Sequence, residues 1–227
     1  MSARTGVVVA IDGPSGSGKS STSRGVATRL GLRYLDTGAM YRAMTWWMLR
    51  HGVPIDDPAA VGERCGEPEI ATGTDPEHPT ITVDGTDVAA AIRTPEVTGA
   101  VSPVSAVPQV RARLLALQHA AIDGAVEGPG IVVEGRDIGA VVAPDADVKV
   151  FLTADASARA ARRAAEEGGS DVAATESSLL ARDRIDSTRT ASPLTMAEGA
   201  VHIDSTPYTL EEVVDLIAGL VEAARRA

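Results

Sequence analysis

Gly6-Val7-Val8-Val9-Ala10-Ile11-Asp12-Gly13-Pro14-Ser15-Gly16-Ser17-Gly18-Lys19-Ser20 is the stretch that decides the fold of this 227-residue chain. Its first half is a short, continuous, β-branched apolar run, the pattern of a strand buried on both faces of a parallel sheet. Its second half is the complete spacing G-x-x-x-x-G-K-S. From Lys19 to Leu30 the pattern turns helical, with Val26, Ala27 and Leu30 on one side. Strand, glycine-rich turn and helix in this order make the first unit of an α/β fold, and this context gives the spacing its meaning. Glycines allow backbone N–H groups to converge on phosphate oxygens, and the following helix turns its positive end toward the same point. Lys19 then reaches the β- and γ-phosphates, and the Ser20 hydroxyl is a candidate ligand for Mg²⁺. Gly13, Pro14, Ser15, Gly16, Ser17, Gly18, Lys19, Ser20 and Ser21 are the candidate ATP-binding residues of this segment. The chain has only two lysines, Lys19 and Lys149, and otherwise uses arginine. Lysine in this slot fits the need for a compact, mobile charge instead of a planar guanidinium.

Working outward, Gly130–Glu134 and Val148–Leu152 read as further buried strands, and Val201–Asp204 as a shorter one. Helical patterns cover Ala39–His51, Pro108–Val126, Asp155–Glu167 and Asp171 to about Thr188. A last helix begins at Thr209 with Glu212 at capping-box spacing. Between about Glu67 and Thr94 the rhythm breaks into short alternating segments around Asp75-Pro76 and Asp84-Gly85, which predicts hairpins and so a small β insertion. The expected fold is α/β of the P-loop NTPase type. It has a mainly parallel central sheet flanked by helices, a small β insertion and a helical lid. A length of 227 residues is consistent with one domain.

The bulk numbers limit the partners. Composition is 44% hydrophobic and 23% charged, with a net charge of −10. A folded, acidic body of this kind argues against nucleic acid or an anionic membrane as partner. The single cysteine, Cys65, excludes an internal disulfide and reads as an apolar filler. With no signal peptide and no transmembrane run, the expectation is a cytoplasmic protein. No apolar stripe calls for a dimer, so a monomer is expected.

The phosphate loop names a nucleotide phosphate and leaves the reaction open. Phosphoryl transfer to a small acceptor needs positioning and charge neutralisation more than covalent chemistry, hence arginines on several loops. Thr37 and Arg42 open the helix after the first αβ connection. Arg136 and Asp137 follow Glu134-Gly135 at the carboxyl end of a core strand, where ligands bind in open α/β sheets. Arg159, Arg162 and Arg163 share one helix face, and Arg182, Asp186 and Arg189 share another. The break Glu166–Ser170 joins the two helices, an arrangement suited to a lid that closes over phosphates.

Taken together, Ile11–Ser20, Leu35–Arg42, Ile92–Val97, Val107–Arg111, Gly135–Gly139 and the run from Arg182 to Arg189 resemble the bacterial cytidylate kinases over nearly the whole chain. The resemblance implies transfer of the γ-phosphoryl of ATP to CMP or dCMP, with Mg²⁺. Thr37, Arg42, Arg136 and Arg189 would then hold the acceptor phosphate. Ser102, Arg111 and Asp137 would read cytosine, and Asp186, helped by Arg182, would meet the sugar hydroxyls. Arg159, Arg162, Arg163 and Arg182 would serve the donor side and lid, with Lys19, Arg136, Arg182 and Arg189 as the catalytic set. Within one domain spanning 1–227, the acceptor-binding insertion would run from about 36 to 106 and the lid from about 155 to 189. Thr37 stands where serine is expected and Glu134 where aspartate is frequent, each keeping the functional group. Ile185 replaces a charged residue found in some relatives. A shikimate- or adenylate-type kinase is disfavoured by the insertion and by the Ser102, Arg111, Asp137 trio. A GTPase switch is disfavoured because no Asn-Lys-x-Asp sequence is present.

Overall fold

The structure is a computed structural model that describes residues 6–166, 169, 171–188 and 194–226, with the side chains of Glu166, Arg182 and Asp186 outside that description. Strand β1 (Val7–Asp12) is buried along its whole length and lies at the middle of a five-stranded sheet. Its neighbours are β6 (Gly130–Gly135) on one side and β7 (Val148–Thr153) on the other. Beyond them are β2 (Arg33–Asp36) and β8 (Val201–Asp204), which gives the order β2-β6-β1-β7-β8. Every pairing in this sheet is parallel. All five strands therefore end at one edge, and the loops that leave that edge build the site.

The continuous apolar runs follow from burial on both faces. Val7, Val9, Ile11, Val132, Val148 and Val150 pack on one side with Val26 and Ala27 of α1 (Lys19–Leu30) and with α8 (Leu210–Ala224). Val8, Ala10, Leu35, Ile131 and Val133 face the other way, toward α2 (Thr37–Arg50) and α5 (Pro108–Val126). Thr209 and Glu212 form the expected capping box at the head of α8. Cys65 is buried in the second cluster, and its thiol donates to the Gly62 carbonyl, as a filler would.

The insertion is a three-stranded antiparallel sheet of β3 (Ile70–Thr72), β4 (Ile81–Val83) and β5 (Thr86–Asp87). It joins the main sheet at the edge, where the Tyr34 N–H donates to the Thr74 carbonyl at 2.9 Å. Arg24 reinforces this seam by donating to the carbonyls of Pro76 and Glu77 at 2.7 and 3.1 Å. Two helices stand where no helical periodicity is legible in the sequence: α3 (Pro58–Arg64) and α4 (Pro95–Ala106). Each has a polar cap, Asp57 or Thr94, followed by proline in the first turn, the arrangement that favours a helix start. The helices α6 (Ala156–Glu166) and α7 (Val172–Thr188) pack against each other beyond the carboxyl edge of β7. No helix among the described residues is long and apolar enough to cross a membrane.

Candidate active site

The turn after β1 fixes one half of the site. Gly13 has φ of +151°, and a Cβ there would sit 2.0 Å from the Leu152 carbonyl oxygen. This glycine is thus demanded by contact with β7, whereas Ser15 to Ser21 line the cleft itself. The cleft has a volume of about 980 Å³ and is bounded by the phosphate loop, the start of α2, the insertion, α4, β6 and α6. Lys19 is buried at the head of α1, and its ammonium donates to the Pro14 carbonyl at 2.6 Å. Burial, seconded by the charge of Arg136, pulls the Lys19 ammonium well below the ordinary lysine range, against the attraction of Glu134 and Asp12.

Two buried carboxylates, Asp12 and Glu134, and the half-buried Asp36 lie at the strand ends near this lysine. Asp12 accepts from the N–H groups of Ile138 and Gly139, both at 2.8 Å, and so orders the turn after β6. Burial raises its pKa to about 6, against the lowering effect of those two bonds. Glu134 lies opposite Asp36 in the β6–β2 register, with both side chains on the α1 side of the sheet. Tyr34 donates its hydroxyl to Oε1 of Glu134 at 2.6 Å. Oε2 of Glu134 is buried and has no hydrogen-bond partner among the described residues. Burial raises the Glu134 carboxyl, the neighbouring Asp36 raises it further, and Lys19, Tyr34 and the nearby Ser20 hydroxyl oppose the shift. Asp36 itself caps α2, accepting from Ala39 N–H at 2.9 Å, and lies 3.7 Å from Arg93.

The acceptor-side residues converge on the same cleft. Thr37, Arg42, Ser102, Arg111, Arg136 and Asp137 all line it, although they come from α2, α4, α5 and the turn after β6. Arg111 and Asp137 form a buried ion pair by a short hydrogen bond, and Arg111 also stacks over Tyr41, its Cζ 5.6 Å from the ring centre. Arg42 donates to the Thr98 hydroxyl at 2.9 Å. Thr37 is buried, and its hydroxyl donates to the Glu134 carbonyl at 2.7 Å. Its proton is therefore engaged within the protein, and what it offers the cleft in this state is a lone pair. Gly135 permits that approach, because a Cβ there would lie 2.6 Å from the Thr37 oxygen.

On the donor side, Arg162 and Arg163 line the cleft and Arg159 does not. Arg159 is buried beneath the phosphate loop, donating to the Ser15 carbonyl at 2.9 Å and pairing with Asp183 of α7. It braces the loop instead of opening onto the cavity. Asp183 in turn accepts from the Ser15 N–H at 3.2 Å, so a carboxylate sits on a loop amide. Ser205, which no motif singles out, donates to the Ser17 carbonyl at 3.1 Å and accepts from Arg162. Tyr34, Asp36, Tyr41, Arg93 and Asp183 were likewise outside the sequence-level set. Asp36 ends β2 and Asp183 lies within α7, so neither acid stands in a loop where charge alone would mark it. Arg189 and the side chains of Arg182 and Asp186 lie outside the described residues.

Comparison with known proteins follows from this geometry. A sequence model of the family described as cytidylate kinase matches residues 9–223. A cytidylate kinase of Streptomyces avermitilis is 59% identical over 221 residues, covering 97% of this chain and 95% of that protein. Those of Nocardia farcinica and Mycobacterium leprae are 53% and 48% identical, each over 96% of its own length. An uncharacterised protein of Eubacterium ventriosum shares the fold, with a TM-score of 0.51 at 10% identity, over 95% of this chain and 98% of that one. A P-loop at the end of a central parallel strand, an antiparallel insertion beside the cleft and these full-length likenesses together make the chain a member of the cytidylate kinase family.

Proposed function

We propose that the enzyme transfers the γ-phosphoryl group of ATP to CMP and dCMP. The observation that carries this reading is the buried Arg111–Asp137 pair lining the same cleft as the phosphate loop. Cytosine offers a 4-amino donor beside the O2 and N3 acceptors, and a carboxylate next to a guanidinium complements that pattern. Uracil presents a carbonyl and an N–H in those places, and a site of buried polar groups rejects a base that leaves them unpaired. Ser102, which also lines the cleft, is the third member of the base-reading set.

The reaction divides between two sides of β6. The loop from Ser15 to Ser21, Lys19, Arg162 and Arg163 hold the triphosphate. Arg42, Arg136 and Arg189 hold the acceptor phosphate, joined by Thr37 when its hydroxyl turns from the Glu134 carbonyl to a phosphate oxygen, and Asp186 with Arg182 meets the ribose. The acceptor phosphate is already ionised at neutral pH, so no side chain need act as base. The work is alignment and neutralisation, for which Lys19 and Arg136 stand nearest the transfer. α6 and α7 act as the lid, and residues from about 36 to 106 as the acceptor-binding region. Arg159 serves the donor site by holding Ser15 in place.

The donor set also suits Mg²⁺. Ser20 is exposed at the head of α1, near a buried Glu134 carboxylate oxygen that has no hydrogen-bond partner of ordinary geometry among the described residues. Hard oxygen donors in small number, completed by phosphates and water, are what Mg²⁺ takes. Ser20 and Glu134 would hold the ion, which neutralises charge on the β- and γ-phosphate oxygens. An acidic body with one buried thiol fits a cytoplasmic, monomeric enzyme.

The deciding experiment is an acceptor panel with ATP: CMP, dCMP, UMP, AMP and shikimate. Turnover is expected to be strongest with CMP and dCMP. Strong turnover of AMP or shikimate with none of CMP would overturn the assignment.

A further inference from the structure

Tyr34 has an apolar setting and one polar atom to satisfy. Its ring packs in the cluster of Val9, Val132 and Val26, and it is only 2% exposed. A phenylalanine would fill that space. The hydroxyl instead goes to Glu134 Oε1, a residue 100 positions away on the neighbouring strand. The consequence is asymmetric: Tyr34 binds one oxygen of the carboxylate, and the other has no hydrogen-bond partner of ordinary geometry among the described residues, with the Ser20 hydroxyl nearby. The remaining polar neighbours do not compete for this hydroxyl. Asp36 is engaged with Ala39 and Arg93, and Lys19 donates to Pro14. Tyr34 and Asp36 are two residues apart on β2, so they flank Glu134 on the same face of the sheet.

We infer that Tyr34 is a positioning residue for the donor's divalent cation, holding Glu134 by one oxygen so that the other is presented to the ion beside Ser20. It touches neither substrate nor metal. It works as outer partners of metal-binding carboxylates do, by fixing which lone pair faces the site. This rests on the reading that Mg²⁺ accompanies ATP through Ser20 and Glu134.

Calorimetry with the full-length enzyme and a non-hydrolysable ATP analogue tests it, with Mg²⁺ present and again with EDTA. The ratio of the two affinities is the metal's contribution to nucleotide binding. Tyr34→Phe is expected to cut that ratio about tenfold, the lower end for loss of such a partner. Affinity in EDTA should stay within about twofold, since the variant leaves the phosphate loop untouched. Glu134→Gln should cut the ratio at least as far, and adding Tyr34→Phe to it should change nothing more. Each protein is compared with itself, so a loss of folded material cancels. A Tyr34→Phe ratio equal to wild type, equal losses with and without metal, or additive losses in the double variant would each overturn the proposal. A wild-type ratio of one would instead refute the metal reading on which it rests.

Discussion

Replacing Asp137 by alanine gives the sharpest test of how the base is chosen. The perturbation is confined, because the Asp137 side chain is 8% exposed and its bonded partner is Arg111, itself 12% exposed. Two costs follow. The first falls on the fold: removing one member of a buried pair leaves Arg111 uncompensated, a change worth about 3–5 kcal/mol in a sealed interior. Arg111 opens onto the cleft, stacks on Tyr41 and also reaches the Ser105 carbonyl at 3.4 Å, so the lower end applies, about 3 kcal/mol. The second cost falls on the acceptor. A hydrogen bond from the cytosine amine to a carboxylate contributes about 1.5–3 kcal/mol, and its loss lowers kcat/KM for CMP by about 10- to 150-fold. UMP never made that bond, so its kcat/KM should change far less. The assay is ADP release with CMP and UMP on the same preparation. Their ratio is independent of the folded fraction, which separates base reading from stability. Equal losses for the two acceptors would refute the argument, leaving Asp137 only as Arg111's counter-ion.

Two further predictions concern the buried charges around the phosphate loop. Lys19→Met should lower kcat by about 10²- to 10³-fold, the scale for losing one preorganised charge at a transition state, while raising the melting temperature of the nucleotide-free protein. Burial depresses the Lys19 pKa, so its ammonium opposes folding below the ordinary lysine range; unchanged turnover or a clear fall in Tm would contradict this. Asp12 should titrate against the usual carboxylate trend. Its pKa rises from 3.8 to about 6 on folding, so between those values the unfolded chain has lost the proton that the folded chain retains. Stability contributed at this position therefore falls as pH rises from about 4 to 6, by about 3 kcal/mol in all, and levels off above. Urea unfolding of wild type and Asp12→Asn across that range should show their stability difference moving against wild type as pH increases. A difference that is flat, or that moves the other way, would rule out burial as the dominant influence on Asp12.

The legible parts of the fold were those governed by local rules. The β1 run, the glycine-rich turn and the Thr209–Glu212 box each state their structure within a few residues. The hairpins of the insertion announced themselves through Asp75-Pro76 and Asp84-Gly85. β2 did not, because Arg33–Asp36 has four residues, of which only Tyr34 and Leu35 are buried. Its strand character comes from pairing with β6, which lies almost a hundred positions later. α4 was hidden by Gly99 and an internal Pro103, although Thr94-Pro95 signalled its start. The site divides along the same line. Lys19, Arg136 and Asp137 could be selected by type and spacing, and Arg111 only through the family resemblance. Tyr34, Asp183 and Ser205 matter through partners far along the chain, at separations reaching 100, 168 and 188 residues, and no local pattern encodes such a pairing.

The seam at Thr74 reaches beyond catalysis. An outermost β-strand offers unpaired amides to any extended chain, and proteins commonly shield such edges. Here the antiparallel insertion supplies the shield, taking the Tyr34 amide onto Thr74 while Arg24 clasps Pro76 and Glu77. The segment proposed to help receive one substrate thus also covers an edge through which copies of the chain could pair. Shortening that loop to broaden the choice of acceptor would trade selectivity for aggregation, so solubility sets a limit on how far this region can be redesigned.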